Sequence, residues 1–325
     1  MNWSFIMLSD LDPLILARLG AITSDRTSGA MTLGRRAIRL LLDVSQETKT
    51  AVDTVAVALC LGQPAMAPVW NAAAVAVGPG GVDGLKILYG KADRAPQSLS
   101  RVFRELVMSS KLETDIAVPL VFATVSASNS VRICFEALSE RATIRAICAE
   151  GRPRMEGRQL ATTLAAAGIT ATICTDAAIG ETIAASSPQV EAVVIGTDAV
   201  TPQWFLNKCG TRQLLELAVS LGVPTYVVAS RDKFISEALA EHIHPNSGPS
   251  QEVWQDIPRG VYVENPYFEK IPIELVATFA TDVGSIGPAS VQDMCQSQVV
   301  STGASRLASL LVDTVIPKNG EDSSS

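Results

Sequence analysis

The chain has 325 residues, of which 47% are hydrophobic, with a net charge of −7 and a pI near 5.0. That length holds one large domain or two ordinary ones, and so acidic a chain, with few clustered Lys and Arg, offers nucleic acid no surface. No run approaches the ~18 apolar residues of a membrane span, so neither nucleic acid nor membrane is expected as a partner. The amino terminus, Met1-Asn-Trp-Ser-Phe-Ile-Met-Leu8, lacks a basic start and reaches Asp10 too soon for a secretory signal. Six scattered cysteines (Cys60, Cys134, Cys148, Cys174, Cys209, Cys295) form no CxxC pair and read as reduced thiols of a cytoplasmic protein. Two histidines, His242 and His244, stand without Cys or His at ligand spacing, so no metal site and no cofactor is expected.

In chain order, the apolar residues from about 10 to 110 recur at helical spacing: Leu11, Leu14, Ile15 and Leu19, then Ala37, Ile38, Leu40 and Leu41, and later Val102, Phe103, Leu106 and Val107. The stretch Gly78-Pro-Gly-Gly-Val-Asp-Gly84 reads as a connector between helices. Near residue 117 the texture changes to short Val/Ile/Leu runs at Ala117–Phe122, Ile144–Cys148, Ala171–Cys174, Val193–Ile195, Thr225–Val228 and Leu275–Thr278. Helical stretches such as Met155–Ala167 and Thr211–Leu221 separate them, and that alternation predicts a parallel sheet with helices on both faces. The expected fold class is therefore α/β, with a helical N-terminal domain over 1–112 and a Rossmann-like parallel-sheet C-terminal domain over 113–315. The charged, Ser-rich segment from 316 to 325 reads as a disordered tail.

Two segments carry the candidate chemistry. Val193-Val-Ile-Gly-Thr-Asp-Ala-Val200 reads as a buried parallel strand that delivers Asp198 to the carboxyl edge of the sheet, where open α/β sheets bind ligands. Asn207, Lys208, Gly210 and Thr211 then open an apolar-periodic helix, gathering amide, ammonium and N–H donors beside that carboxylate. A buried Asp capping a turn, next to a solvated Lys, is the plainer reading of the same residues. Thr124-Val-Ser-Ala-Ser-Asn-Ser130 follows a predicted strand and precedes a helix beginning near Val131. Hydroxyls and first-turn N–H groups converge there, either as an oxyanion nest or as an ordinary N-cap by Ser128 or Ser130.

These segments fall into an ordered series with Ser28-Gly-Ala30, Gln63-Pro64 through Asn71, Glu150-Gly-Arg-Pro153 with Gly157, Tyr226-Val-Val-Ala229 with Lys233-Phe234, Asn265-Pro266, and Thr281-Asp-Val-Gly284 with Pro288 and Val291. The series, from roughly 28 to 291, resembles the initiation factor 2B alpha/beta/delta-like superfamily. That group includes regulatory subunits of a translation initiation factor and isomerases of methylthioribose-1-phosphate and ribose-1,5-bisphosphate. The resemblance implies a pocket for a phosphorylated sugar or nucleotide, with Ser28, Gly29, Ala30, Gln63, Thr124, Ser128, Asn129, Arg152, Asn207 and Lys208 as ligand contacts. It also implies homodimers or larger homo-oligomers built through the C-terminal domain, for which Ile286–Val291 and Leu307–Val312 are apolar interface material.

In the isomerases that the chain resembles, a cysteine stands where this chain has Ser126 and works with an aspartate aligned with Asp198. A thiol is readily lowered toward neutrality, whereas a serine hydroxyl needs a dedicated base, and no histidine lies near Ser126 in sequence. The isomerases also carry arginine where this chain has Ser28 and Gln63, and neither residue supplies that charge. These departures favour a non-catalytic or regulatory binder. An aldose–ketose isomerase is the alternative, with Asp198 and, weakly, Ser126 as its catalytic pair, and altered chemistry at the same pocket is a third reading.

Overall fold

Helices α1 (Pro13–Thr23), α2 (Ala30–Val44), α3 (Lys49–Gly62), α4 (Ala67–Val77) and α5 (Gly81–Met108) follow one another without a strand. Their starts are written in the sequence. Asp12 accepts from the N–H groups of Leu14 and Ile15 ahead of Pro13, and Thr48 accepts from Ala51, the capping chemistry those residue types supply. The expected connector is shorter than predicted, because α5 already begins at Gly81. Helix α4 buries Val69, Trp70, Ala72, Ala73 and Ala74 and so forms the middle of the helical layer. The computed structural model describes residues 11–109, 111, 118–245, 247–298 and 301–315. The expected tail, 316–325, and the amino-terminal segment before Leu11 lie outside the described residues.

At 28 residues, α5 is about 42 Å long and joins two cores. Its Leu85 packs with the helical layer, while Leu99, Val102, Phe103 and Val107 lie on the sheet. The strands that follow are β1 (Leu120–Val125), β2 (Ile144–Ala149), β3 (Thr170–Cys174), β4 (Val190–Ile195), β5 (Ala199–Val200), β6 (Trp204–Lys208), β7 (Thr225–Val228), β8 (Phe268–Pro272), β9 (Thr278–Thr281) and β10 (Gly284–Ile286). Between and after them run α6 (Asn129–Ser139), α7 (Glu156–Ala166), α8 (Ile179–Ala184), α9 (Thr211–Ser220), α10 (Glu237–Ala240), α11 (Val291–Gln298) and α12 (Ser301–Val315).

Seven strands form one sheet in the order β10-β9-β7-β4-β1-β2-β3, parallel except for the β9–β10 pair. Its two faces are separately covered. Val121, Ala123 and Val125 of β1 meet Leu214, Leu215, Val291 and Cys295 on one side, and Leu120 and Phe122 meet Phe103, Phe135 and Leu160 on the other. Alternate residues of one strand thus feed opposite cores, which is why the strands read as continuous apolar runs. The α/β class with a helical amino-terminal region matches the sequence expectation.

Three local expectations change. The last predicted strand lies at Thr278–Thr281, because Ile273–Leu275 is taken by a 3-10 turn. A second, antiparallel sheet of β5, β6 and β8 was not foreseen, and it places Asn207 and Lys208 at the end of a strand rather than at the opening of α9. Helix α12 returns to the helical layer, where Leu307, Leu310 and Leu311 are buried and Arg306 Nη2 sits 2.6 Å from Asp53 Oδ2. Within the two apolar segments expected at an interface, Leu307, Leu310, Leu311 and Val291 are spent inside the chain, whereas Val312 is 50% exposed and Ile286 half-buried. No described helix is long and apolar enough to cross a membrane.

The seat of α12 is set by Gly303, where an added Cβ would stand 2.5 Å from the Ala74 carbonyl oxygen. Gly303→Val is expected to cost about 1–3 kcal/mol in urea unfolding, because main chain and not a pliable side chain opposes it. Gly20→Ala, on an open face of α1, is expected to stabilise by about 0.5–1 kcal/mol. Equal responses from the two variants would contradict this packing.

Candidate functional site

The strand order reverses between β1 and β4, so the chain leaves their carboxyl ends in opposite directions and opens a crevice, the usual ligand position of such sheets. A cavity of about 680 Å³ lies there. Ser126, Ala127, Ser128 and Asn129 line it from the end of β1, Asp198 from the end of β4, Glu156, Gln159, Leu160 and Thr163 from α7, and Tyr267 and Phe268 from the entry to β8. The helical layer closes it with Asp25 to Gly29, Gln63 and Met66. Hydrogen bonds to main-chain carbonyls tie the two regions together here, Ala67 N–H donating to Asp198 at 3.1 Å and the Arg154 side chain, through Nη1, to Arg26 at 3.0 Å.

Two helices point their amino ends at this space. Ser128 caps α6, its Oγ accepting from Val131 N–H at 3.3 Å, which leaves the N–H groups of Asn129 and Ser130 without an acceptor inside the helix. Gly29 stands at the cap of α2 with no side-chain cap, so Ala30 and Met31 N–H are open in the same way. Ser126 between β1 and α6 is held at φ 69°, a left-handed conformation that costs a non-glycine residue energy and turns the chain sharply into α6. Ser128 can sit against β4 because residue 196 has no side chain: an added Cβ there would stand 2.1 Å from Ser128 Oγ.

The loop that carries Ser28 and Gly29 is built by Asp25. Its Oδ1 accepts from Thr27 N–H at 2.8 Å and Ser28 N–H at 2.9 Å, and its Oδ2 meets Arg36 Nη1 at 2.8 Å. Burial raises the Asp25 carboxyl, but the Ser28 and Thr27 donors together outweigh it and hold the group well below the usual carboxylate range. Gln63 fastens the other side, with Nε2 donating to the Ile22 carbonyl at 2.6 Å and the Asp25 carbonyl at 2.7 Å. Both amide hydrogens are therefore spent, and Gln63 offers the cavity no donor.

Of the residues expected as contacts, Ser28, Gly29, Gln63, Ser126, Ser128, Asn129 and Asp198 line the cavity, whereas Ala30, Thr124, Arg152, Asn207 and Lys208 do not. The reasons are local. Ala30 is buried at the start of α2, and Thr124 is fully buried within β1. Arg152 is exposed, on a turn fixed by its N–H on Asp176 Oδ2 at 2.7 Å. Asn207 donates to Thr211 Oγ1 at 2.9 Å. Lys208 is buried with its Nζ 3.0 Å from Glu156 Oε1, so its charge reaches the cavity wall through a carboxylate. Burial raises the Asp198 carboxyl to about 6, and the charge that opposes that rise is that of Lys233, not Lys208.

Arg26, Arg132 and Arg154 also line the cavity, and sequence reasoning did not select them. Arg132 is turned to its own helix, with Nη1 2.6 Å from Glu136 and Nη2 2.8 Å from Asn129 Oδ1. Arg154 lies over the Tyr267 ring at 4.5 Å and pairs with Glu252 at 3.2 Å. Glu252 also accepts from the Tyr267 hydroxyl. No cysteine lines the cavity; burial drives the Cys134 thiol above its ordinary range and the Cys148 thiol to about 12. Among the described residues no cluster of His, Cys, Asp or Glu is arranged to hold a metal ion.

The sequence pattern of the initiation factor 2 subunit family matches residues 89–288, a span that includes β1, β4 and the cavity walls they carry. The chain belongs to that family. It is similar to the ribose 1,5-bisphosphate isomerase of Methanocaldococcus jannaschii, at 31% identity over 163 residues, covering 49% of this chain and 52% of the relative. It is also similar to the methylthioribose-1-phosphate isomerase of Exiguobacterium sibiricum, at 35% identity over 145 residues, covering 42% and 41%. The chain thus spans about half the length of the curated relatives it matches. Among solved structures it superposes on the translation initiation factor eIF-2B of Pyrococcus horikoshii with a TM-score of 0.69, covering 86% of this chain and 98% of that one at 23% identity. At that identity the likeness shows the initiation factor 2 subunit fold alone.

Gln63 supplies a test of how the cavity's helical wall is held. Gln63→Leu strands the Ile22 and Asp25 carbonyls and is expected to lower stability by about 1–3 kcal/mol in urea unfolding. A loss below about 0.5 kcal/mol would show that the loop from 25 to 29 is held by something else.

Proposed function

We propose that this family member binds a small phosphorylated sugar or nucleotide and does not isomerise it. The observation that carries the reading is the convergence of two helix amino ends, of α2 and α6, on a cavity whose lining holds no thiol. The lining residues Gly29 and Asn129, at the amino ends of the two helices, would offer main-chain N–H groups and the positive helix ends to the oxygens of one phosphate monoester. The arginines on the wall are engaged by Glu136, Glu252 and main-chain carbonyls, so a second phosphate would meet far fewer free donors. Asp198, across the cavity, would accept a hydroxyl of the sugar or ribose. A regulatory place in a translation assembly and self-association through the sheet region belong to the same proposal.

The alternative, an aldose–ketose isomerase of methylthioribose-1-phosphate or ribose-1,5-bisphosphate, has one observation of its own. A carboxyl raised to about 6 is suited to carrying a proton at neutral pH. It lacks a partner, because Ser126 is presented without histidine or lysine among the cavity-lining residues.

Incubation with methylthioribose-1-phosphate, followed by NMR, separates the two. The binder is expected to give no ketose, and turnover above about 1 s⁻¹ would overturn the reading. In thermal shift, ribose 5-phosphate and nucleoside monophosphates at millimolar concentration are expected to raise the melting temperature. Gly29→Asp, which sets a carboxylate at the open end of α2, should abolish that rise. Silence of every phosphate ester would remove binding altogether.

A further inference from the structure

Strand β3 ends the seven-stranded sheet, with β2 on one side and, among the described residues, no strand on the other. Its residues, Thr-Ala-Thr-Ile-Cys, carry no charge and no proline, and their register with β2 runs from Arg145–Thr170 to Ala149–Cys174 without a bulge. Charges, prolines and bulges are the devices that keep a strand edge from pairing with another chain, and this edge has none of them. Ile173 is 47% exposed, and Thr170 and Thr172 are exposed as well.

The direction of the free peptide groups follows from one hydrogen bond. Glu150 N–H donates to the Cys174 carbonyl at 2.9 Å, so Cys174 turns its main chain toward β2. Successive residues of a strand alternate in this respect, so Thr170 and Thr172 also face β2, while Ala171 and Ile173 hold their N–H and C=O out from the free edge.

A second copy of this strand, laid antiparallel about a two-fold axis between the two Thr172 residues, meets those groups. Ala171 of each copy then lies opposite Ile173 of the other, and each such pair exchanges both main-chain hydrogen bonds. The side chains agree with that register, because a small residue faces a large one in both pairs and Thr172 faces Thr172 at the axis. Charge agrees with it too. At the amino end of the edge Arg141 is exposed, has no ion-pair partner among the described residues, and lines a depression of about 420 Å³ with Gly168, Ile169 and Thr170. At the carboxyl end Asp176 and Glu181 outweigh Arg152, and Glu150 is neutralised by Arg158 at 2.7 Å. The register that opposes 171 and 173 also brings Asp176 of one copy opposite Gly168 of the other, beside Arg141. Opposite charges meet at both ends, whereas a parallel pairing would set like ends together.

We propose that β3 is the edge on which a second copy of this chain docks, antiparallel and in the 171–173 register, so that one sheet runs through both copies. The inference rests on the self-association included in the proposed function and names its surface. Ligand binding is a separate matter, since the cavity opens at β1 and β4, with β2 between them and this edge.

The test combines light scattering of the whole chain over a concentration series with disulfide trapping. Wild type is expected to reach the mass of a pair of chains or a multiple of it. Ile173→Pro removes an outward N–H and leaves the β2 ladder alone, so it is expected to halve that mass. Ile173→Lys, which sets a charge on the edge, is expected to do the same and serves should the proline variant not fold. Under mild oxidation Thr172→Cys is expected to give a disulfide-linked dimer, because opposed residues of a non-hydrogen-bonded pair lie about 4.5 Å apart at Cα. Ile173→Cys, opposite Ala171, is expected to give no more linked dimer than wild type. A wild type that stays a single chain at every concentration overturns the self-association and the edge together. An oligomer whose mass both Ile173 variants leave unchanged, or in which Thr172→Cys forms no link, overturns the edge alone.

Discussion

The reversal of strand order between β1 and β4 is the constraint on which the site depends. In a parallel sheet each strand must hand its chain to a crossover on one face, and where neighbouring strands hand off in opposite directions nothing covers their ends. Here the uncovered ends belong to Val125 and Ile195, and the segments that follow supply Ser126 to Asn129 and Asp198. The contact of Ser128 with the bare Cα of Gly196 narrows that gap and brings the start of α6 against the exit of β4. Without a glycine at 196 the two would separate, and the helix end and the carboxylate would no longer share one cavity.

The electrostatics follow from what is already paired. A cavity with three arginines on its wall looks at first like a phosphate clamp, yet Arg132 serves Glu136 and Asn129, and Arg154 serves Glu252, Tyr267 and the Arg26 carbonyl. These arginines hold the walls together. Unspent donors are concentrated instead in main chain at the starts of α2 and α6, where the helix dipole adds to the N–H groups. Lys208 repeats the pattern, its charge absorbed by Glu156.

Part of this was legible in the sequence. Buried parallel strands are continuous apolar runs, so Val193–Ile195 and Thr225–Val228 were readable, and Gly-Thr-Asp after the first of them located the sheet edge. Strands β5 and β6 escaped because one is two residues long and the other carries Asn and Lys, residues that read equally well as a helix start. Residue types near the site were found, but side-chain directions were not. Lys208 and Arg152 were chosen for their charge, and whether a charge faces a cavity depends on partners distant in sequence, such as Glu156 for Lys208 at a separation of 52 residues. The Asp25-x-Thr-Ser28 pattern, by contrast, is a local turn signal that could have placed Asp25 at the base of the site. No local signal marks Arg154, whose partner Glu252 lies 98 residues away.

A crystal structure of the chain with a bound phosphate monoester, ribose 5-phosphate for example, tests the central claim most directly. Phosphate oxygens are expected at the amino ends of α2 and α6, within hydrogen-bond distance of the main-chain N–H groups of Gly29 and Asn129, with a sugar hydroxyl on Asp198. A phosphate held by Arg152 or Lys208, or bound outside the space between Ser28 and Ser128, would contradict it.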